Sequence, residues 1–369
     1  MKIAYVINSV EGGGASQPVP AIARVLQGEG AQVRVFALTP RDRRGLRAMV
    51  EAGLDPLVRE GGTQDHLSAA LWLRRELRAW GATHIWTSLS RATILGLIVG
   101  PTMGLPVVSW QHAAFLKPGN RRLMRLLQSR AMLWIGDSRS VTALTAERIG
   151  VPQDRLRCWP IFACDADAPQ ARPWHRGEPL RIGSLGRLHR VKGYDVLIEA
   201  LSLLVRSGYA PPAPVHLSIG GEGAERERLE AAIAAAGLID ISMTGYVEKP
   251  GAFLARHHLY VQPSRSEGFC IAAHEAMAAG LPVVASAVGE LAYSIGADTG
   301  LTVPPANPQA LADALRRMLS QPDRLADMGR LARMDMLDRF SQQRFAATGA
   351  AIMAEVKAAA LTSGLQASG

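Results

Sequence analysis

The sequence predicts an α/β chain of two doubly wound halves, each a parallel sheet flanked by helices. Short runs of apolar and β-branched residues alternate with longer stretches of helical periodicity, the pattern of strand-helix-strand units. The alternation breaks once, at 164–179 (CDADAPQARPWHRGEP), a Pro- and Ala-rich stretch without periodicity, and then restarts. At 369 residues the chain also exceeds what one hydrophobic core usually serves.

In the first half, strands are expected at 2–7, 32–38, 84–89, 106–111 and 132–137. The run Gly12-Gly13-Gly14 follows the first strand and precedes a helix expected near Ser16. Glycines there bring a ligand against the backbone or simply make a tight turn. The run lacks G-x-G-x-x-G spacing, and no acidic residue stands where the second strand would offer one to a ribose. Pro18 and Pro20 sit awkwardly in such a helix, because a proline beyond the first turn is costly. The first domain is therefore drawn at 1–165 and a linker at 166–179. The second domain, 180–341, has strands expected at 180–186, 215–221, 241–247, 259–263, 282–286 and 300–304. A final helix is expected over 342–361, followed by a frayed tail to 369. Ligands of such sheets bind outside the carboxyl ends of the strands, so a central cleft faced by both halves is the expected site.

Composition narrows the function. Hydrophobic residues make up 48% and charged residues 20%, a globular balance. Cys158, Cys164 and Cys270 are sparse and without metal-ligand spacing, which suits a reducing, cytoplasmic setting. The N-terminus lacks the features of a secretory leader, and no apolar run reaches the roughly 18 residues of a membrane span. Net charge is +9, and 1–165 carries all of it, with 21 Lys and Arg against 12 Asp and Glu. Lys117, Arg121, Arg122, Arg125 and Arg130 interleave with Leu123, Leu126 and Leu127 at helical spacing, and Arg41, Arg43, Arg44 and Arg47 form a second cluster. The helix is either a solvated face or a contact for an anionic membrane surface. Nucleic acid is not an expected partner, because aromatics are only 5% and no recognition motif accompanies the arginines. Asp165 and Asp167 form a D-x-D in the linker, away from any strand end, so no metal is expected.

The second half concentrates the chemistry. In GSLGRLHRVKGYD a strand is followed by Arg187, a polar loop, Lys192 and a helix, which sets a guanidinium fork and an ammonium at one strand end, where a phosphate can meet both. Glu222 stands in the next glycine turn, GGEG, which also reads as an ordinary loop. In SEGFCIAAHEAMAAGLP a turn carries Glu267 and Gly268, and a helix ended by Gly280 carries Glu275. The N–H groups of Phe269, Cys270 and Ile271 open that helix and form an anion site. One carboxylate can hold hydroxyls on one side of a diphosphate, and the other carboxylate those on the far side: the outline of a nucleotide-sugar. His274 is read as structural, and His257 and His258 as surface residues. No cysteine receives a chemical role.

These pieces, with His112 in SWQHAAF, resemble the retaining glycosyltransferases of family 4, which have the GT-B fold of two Rossmann-like domains, and they run in family order along nearly the whole chain. The resemblance implies that Glu267 contacts the donor sugar, Glu275 the ribose, and Arg187 with Lys192 the diphosphate. Gly13, Gly14, Glu222, Gly268, Phe269, Cys270 and Ile271 complete the donor contacts it implies. His112 corresponds to the histidine beside the reacting sugar, and the final helix crosses back to the first domain. No cofactor beyond the nucleotide-diphosphate sugar is implied. A UDP-sugar is expected first and a GDP-sugar second, supplying a hexose or N-acetylhexosamine. The acceptor is expected to be a glycan or lipid-linked sugar of the cell envelope or an exopolysaccharide, which would place the protein in the cytoplasm or at the inner membrane face. One departure is the proline-bearing stretch at 16–20, where the family continues a regular helix. A nucleotide-sugar epimerase that hydrolyses its intermediate shares the architecture and is the alternative. A glycosidase is not favoured, because its two carboxylates would leave Arg187 and Lys192 unexplained.

Overall fold

A computed structural model of the chain describes residues 1–14, 16–112, 115–238 and 240–366. It divides into two units, Met1–Ile161 with Gln343–Gly369, and Phe162–Gln342.

The first unit is built on β1 (Lys2–Ser9), β2 (Gln32–Thr39), β3 (Leu57–Val58), β4 (His84–Ser88), β5 (Val107–Gln111), β6 (Leu133–Gly136) and β7 (Leu156–Cys158), in the order β3-β2-β1-β4-β5-β6-β7. All pairs are parallel. Both faces are covered, so the inner strands read as nearly unbroken apolar runs. Ala4, Val6, Ile85 and Val107 point to one face, against helices 66–80, 90–102 and 118–127. On the other face Trp159 stacks on Trp110 at 4.6 Å and meets Phe345 of the Gln342–Gln366 helix. Gly349 of that helix lies so close to Trp159 that a Cβ would come within 2.4 Å of the indole.

The second unit contains β8 (Leu180–Leu185), β9 (Val215–Gly220), β10 (Ile241–Gly245), β11 (Leu259–Gln262), β12 (Val283–Ser286) and β13 (Gly300–Val303). Their order, β10-β9-β8-β11-β12-β13, is that of a dinucleotide-binding sheet, with its switch point between β8 and β11. Helices 194–206 and 308–319 bury Leu197, Ala200, Leu311 and Leu315 against it. The two doubly wound sheets are the fold class that the sequence predicts.

Four expectations change. Strands β3 and β7 escaped the sequence reading, because edge strands of two and three residues carry no measurable alternation. The first helix begins at Val19 rather than near Ser16, which leaves Pro18 as its N-cap and Pro20 in its first turn, where no N–H partner is lost. His257 and His258 are buried, not surface residues. His257 Nδ1 bonds to the Phe253 carbonyl at 2.8 Å, and His258 Nδ1 accepts from the Arg181 N–H at 3.1 Å. Finally, the C-terminal helix continues to Gln366, and the rest of the expected tail, 367–369, lies outside the described residues.

Candidate active site

In the second unit the sequence-selected residues gather at the switch point. After β8 the chain passes Gly186 and Arg187 into a short 3-10 turn, Arg190–Lys192, closed by Gly193 at φ 69°. A Cβ on Gly193 would lie 2.0 Å from the Pro263 carbonyl oxygen, so only glycine lets this loop press on the end of β11. That approach brings Lys192 to Glu267, Nζ to Oε1 at 2.7 Å, with side chains 19% and 10% exposed. Burial opposes the Lys192 ammonium, but the Glu267 carboxylate prevails and holds its pKa above the ordinary value. Gly221 supports the arrangement from β9, since its φ of 144° lets it sit against the Gly186 carbonyl.

Glu267 is fixed by a relay of buried side chains. The Leu185 N–H donates to the Tyr260 hydroxyl at 3.1 Å, which donates to Gln262 Oε1 at 2.8 Å. Gln262 Nε2 donates to Ser264 Oγ at 2.8 Å, and Ser264 donates to Glu267 Oε1 at 2.6 Å. The turn itself is pinned by Arg265, which forks onto both oxygens of Asp195 at 2.7 and 2.8 Å. Sequence reasoning missed all of these supports. Their one signal was the polar run SRSEG directly after an apolar strand.

The Arg187 side chain is exposed and has no hydrogen-bond or ion-pair partner among the described residues, while its charge bears on Lys192. Beyond Glu267, Cys270 caps the Ile271–Ala278 helix in the left-handed region at φ 69°, a conformation costly for any residue with a Cβ. Burial and the Glu267 charge push its thiol pKa up, so it stays protonated. The N–H groups of that helix's first turn have no partner within the helix. The Phe269 ring is buried, 4.0 Å from His274 and 5.3 Å from Phe340, and only its backbone is available to a ligand. His274 is structural, bonded to the Cys270 carbonyl and to Ser294, with burial holding its pKa down at about 4.

Glu275 differs from Glu267. No hydrogen-bond or ion-pair partner for its carboxylate appears among the described residues, and burial raises its pKa from 4.5 to about 7. A half-buried carboxylate without a partner is suited to receiving hydroxyl donors. Glu222 lies on an exposed loop, where its carbonyl accepts from the Leu188 N–H at 2.8 Å.

In the first unit the switch point lies between β1 and β4. Gly13 and Gly14 are exposed just beyond β1, and a Cβ on Gly13 would meet nothing within 4 Å, so the fold itself leaves that space open. His112 follows β5 with both ring nitrogens engaged, Nε2 with Ser88 Oγ at 2.7 Å and Nδ1 with Asp137 Oδ2 at 3.3 Å. The next two residues of its motif lie outside the described residues. Asp165 caps its own turn, accepting from the Asp167 N–H at 2.9 Å, and no metal-ligand cluster occurs among the described residues.

Comparison with known proteins meets this geometry. The fold is that of the GT-B glycosyltransferases: HepE of Anabaena, solved in complex with UDP, matches with a TM-score of 0.82 over 96% of this chain and 100% of its own, at 19% identity. Residues 12–162 match Glycosyltransferase Family 4 and residues 169–335 match Glycosyl transferases group 1. The chain belongs to the family 4 glycosyltransferases. Among its relatives, the D-inositol 3-phosphate glycosyltransferase of Gordonia bronchialis is 38% identical over 160 residues, 41% of this chain and 35% of the relative. That of Pseudarthrobacter chlorophenolicus is 31% identical over 277 residues, 68% of this chain and 64% of the relative. The chain thus spans less than two thirds of the length of these relatives.

Proposed function

We propose that the protein transfers a hexose or N-acetylhexosamine from a nucleoside diphosphate, UDP first and GDP second, to an acceptor hydroxyl with retention of configuration. The observation that carries this reading is the convergence of Arg187, Lys192 and Glu267 at the β8/β11 switch point. Cleaving the bond from the anomeric carbon to the diphosphate builds positive charge on the sugar and negative charge on the leaving group. Arg187, Lys192 and the helix amides after Gly268 oppose the negative charge, while Glu267 holds sugar hydroxyls. Lys192 is already partly neutralised by Glu267, so Arg187 is the cation with charge to spare. Glu275 takes the ribose hydroxyls. A phosphate oxygen of the leaving group accepts the acceptor's proton on the same face of the sugar, and no separate base is needed. No metal is required in this scheme.

We assign the acceptor to the first unit, as a glycan or lipid-linked sugar reached at an anionic membrane surface. Arg121, Arg122 and Arg125 are exposed on helix 118–127 together with Leu126 at 77% and Leu123 at 37%. Leu127, expected on that face, is buried and contributes nothing to it. Helix 66–80 adds exposed Leu67 and Leu71 with Arg74, Arg75 and Arg78. No helix among the described residues is long and apolar enough to cross a membrane. A second reading, a small sugar or polyol phosphate acceptor, is favoured by the names of the relatives and by the basic charge of residues 1–165. A panel of UDP- and GDP-sugars offered with each acceptor class tests the proposal. New glycoside formed with nucleoside diphosphate release supports it. Free sugar or epimer as the sole product would favour the hydrolysing epimerase instead.

A further inference from the structure

Three adjacent strands of the first sheet deliver polar residues at their carboxyl ends: β4 ends on Ser88, β5 leads into His112, and β6 leads into Asp137. Ser88 is fully buried, and the His112 and Asp137 side chains are 6% and 4% exposed. The imidazole lies 5.6 Å from the Trp110 ring, tilted by 31°, and Trp110 is in turn stacked on Trp159. The ring is therefore held by packing as well as by both of its nitrogens.

A carboxylate can only accept a hydrogen bond, so the Nδ1 facing Asp137 Oδ2 carries a proton. In a neutral imidazole the other nitrogen is then an acceptor, and the Ser88 hydroxyl, 2.7 Å from Nε2, is its donor. Asp137 Oδ1 is buried without a hydrogen-bond partner, which leaves the bond to His112 as the carboxylate's side-chain anchor among the described residues. We propose that Asp137 and Ser88 are positioning residues that hold His112 as the Nδ1–H tautomer, with Ser88 standing at Nε2 where a substrate hydroxyl would donate. His112 then has no N–H to donate to the sugar, and it accepts from a sugar hydroxyl only where that hydroxyl takes the place of Ser88 at the single Nε2 lone pair. This consequence rests on the reading of His112 as a sugar contact, whereas the tautomer does not.

The whole chain labelled with 15N-histidine tests it by long-range proton-nitrogen correlation, with His112→Gln identifying the signal. The wild type is expected to show a protonated Nδ1 and an unprotonated Nε2 at neutral pH. Asp137→Asn is expected to bring in the Nε2–H form and to lower kcat by about tenfold or more, the scale on which a histidine's orienting partner matters. Its affinity for UDP stays within about twofold, since the nucleotide contacts lie in the other unit. Ser88→Ala keeps the Nδ1 proton but shifts the Nε2 resonance. An Nε2–H tautomer in the wild type overturns the proposal. An Asp137→Asn variant with unchanged tautomer, or with a changed tautomer and wild-type kcat, also overturns it. If the wild type transfers no sugar from any donor, the transferase reading fails by itself, and the resonances still decide the tautomer.

Discussion

Replacing Glu275 with glutamine should make the protein more stable, and only at higher pH. Burial alone raises the Glu275 pKa from 4.5 to about 7. A pKa raised in the folded state means that the group favours folding when protonated. Its contribution is fully present below the unfolded value of 4.5 and is lost as pH rises through about 7. The shift corresponds to about 3 kcal/mol at about 1.4 kcal/mol per unit. Glutamine is nearly isosteric with the protonated acid and cannot ionise, so the variant escapes this loss. In thermal melts of the two proteins across pH, the gap in Tm should be small at pH 5 and level off above pH 8. Its plateau should be about 6 to 12 °C, given about 2 to 4 °C per kcal/mol for a domain of this size. Saturating UDP should narrow the gap, because ribose hydroxyls supply the partners that the carboxylate lacks. A gap that does not change with pH would refute the reasoning and show Glu275 to be solvated or paired.

Further outcomes follow from the same geometry. Arg187→Ala should cost about 2 to 4 kcal/mol of transition-state stabilisation, measured as kcat/KM for transfer. Lys192→Ala should cost a similar amount and also lower Tm, because it strips a buried carboxylate of its cation, whereas Arg187→Ala should leave Tm within about 2 °C. Glu267→Ala should lower turnover while leaving the affinity for UDP, read by calorimetry, within about threefold. Sedimentation with anionic vesicles should show binding that weakens between low and physiological salt, at about 1 kcal/mol per arginine near the surface. Changing Arg121, Arg122 and Arg125 to glutamate should abolish that binding and spare UDP binding.

Much of this was legible because parallel strands covered on both faces must be apolar throughout, and the residues that interrupt them mark where each strand ends. Arg187 and Glu267 could be picked out as charges soon after such runs, and Lys192 and Glu275 as charges in the loop and helix that follow. Their partners were harder to see. Tyr260 and Gln262 lie within β11 and look like strand residues, and it is the register of β11 beside β8 that brings Tyr260 to the Leu185 backbone. Ser88 and Asp137 are separated from His112 by 24 and 25 residues and meet it because β4, β5 and β6 are neighbours. The His257 and His258 pair was misread because two polar residues in a row look like a surface, while their partners are backbone groups, the Phe253 carbonyl one helical turn back and the Arg181 N–H of β8. Strands β3 and β7 are defined by pairing alone.

The central claim is that the switch point of the second sheet binds the diphosphate of a nucleotide-sugar. Calorimetric titration of UDP into the wild type and into Arg187→Ala tests it most directly, without knowledge of sugar or acceptor. The account predicts saturable binding at one site per chain in the wild type and an affinity at least about tenfold weaker in the variant, a loss of about 1.4 kcal/mol. Equal affinity in the two proteins, or no binding of UDP or GDP to the wild type, would contradict it.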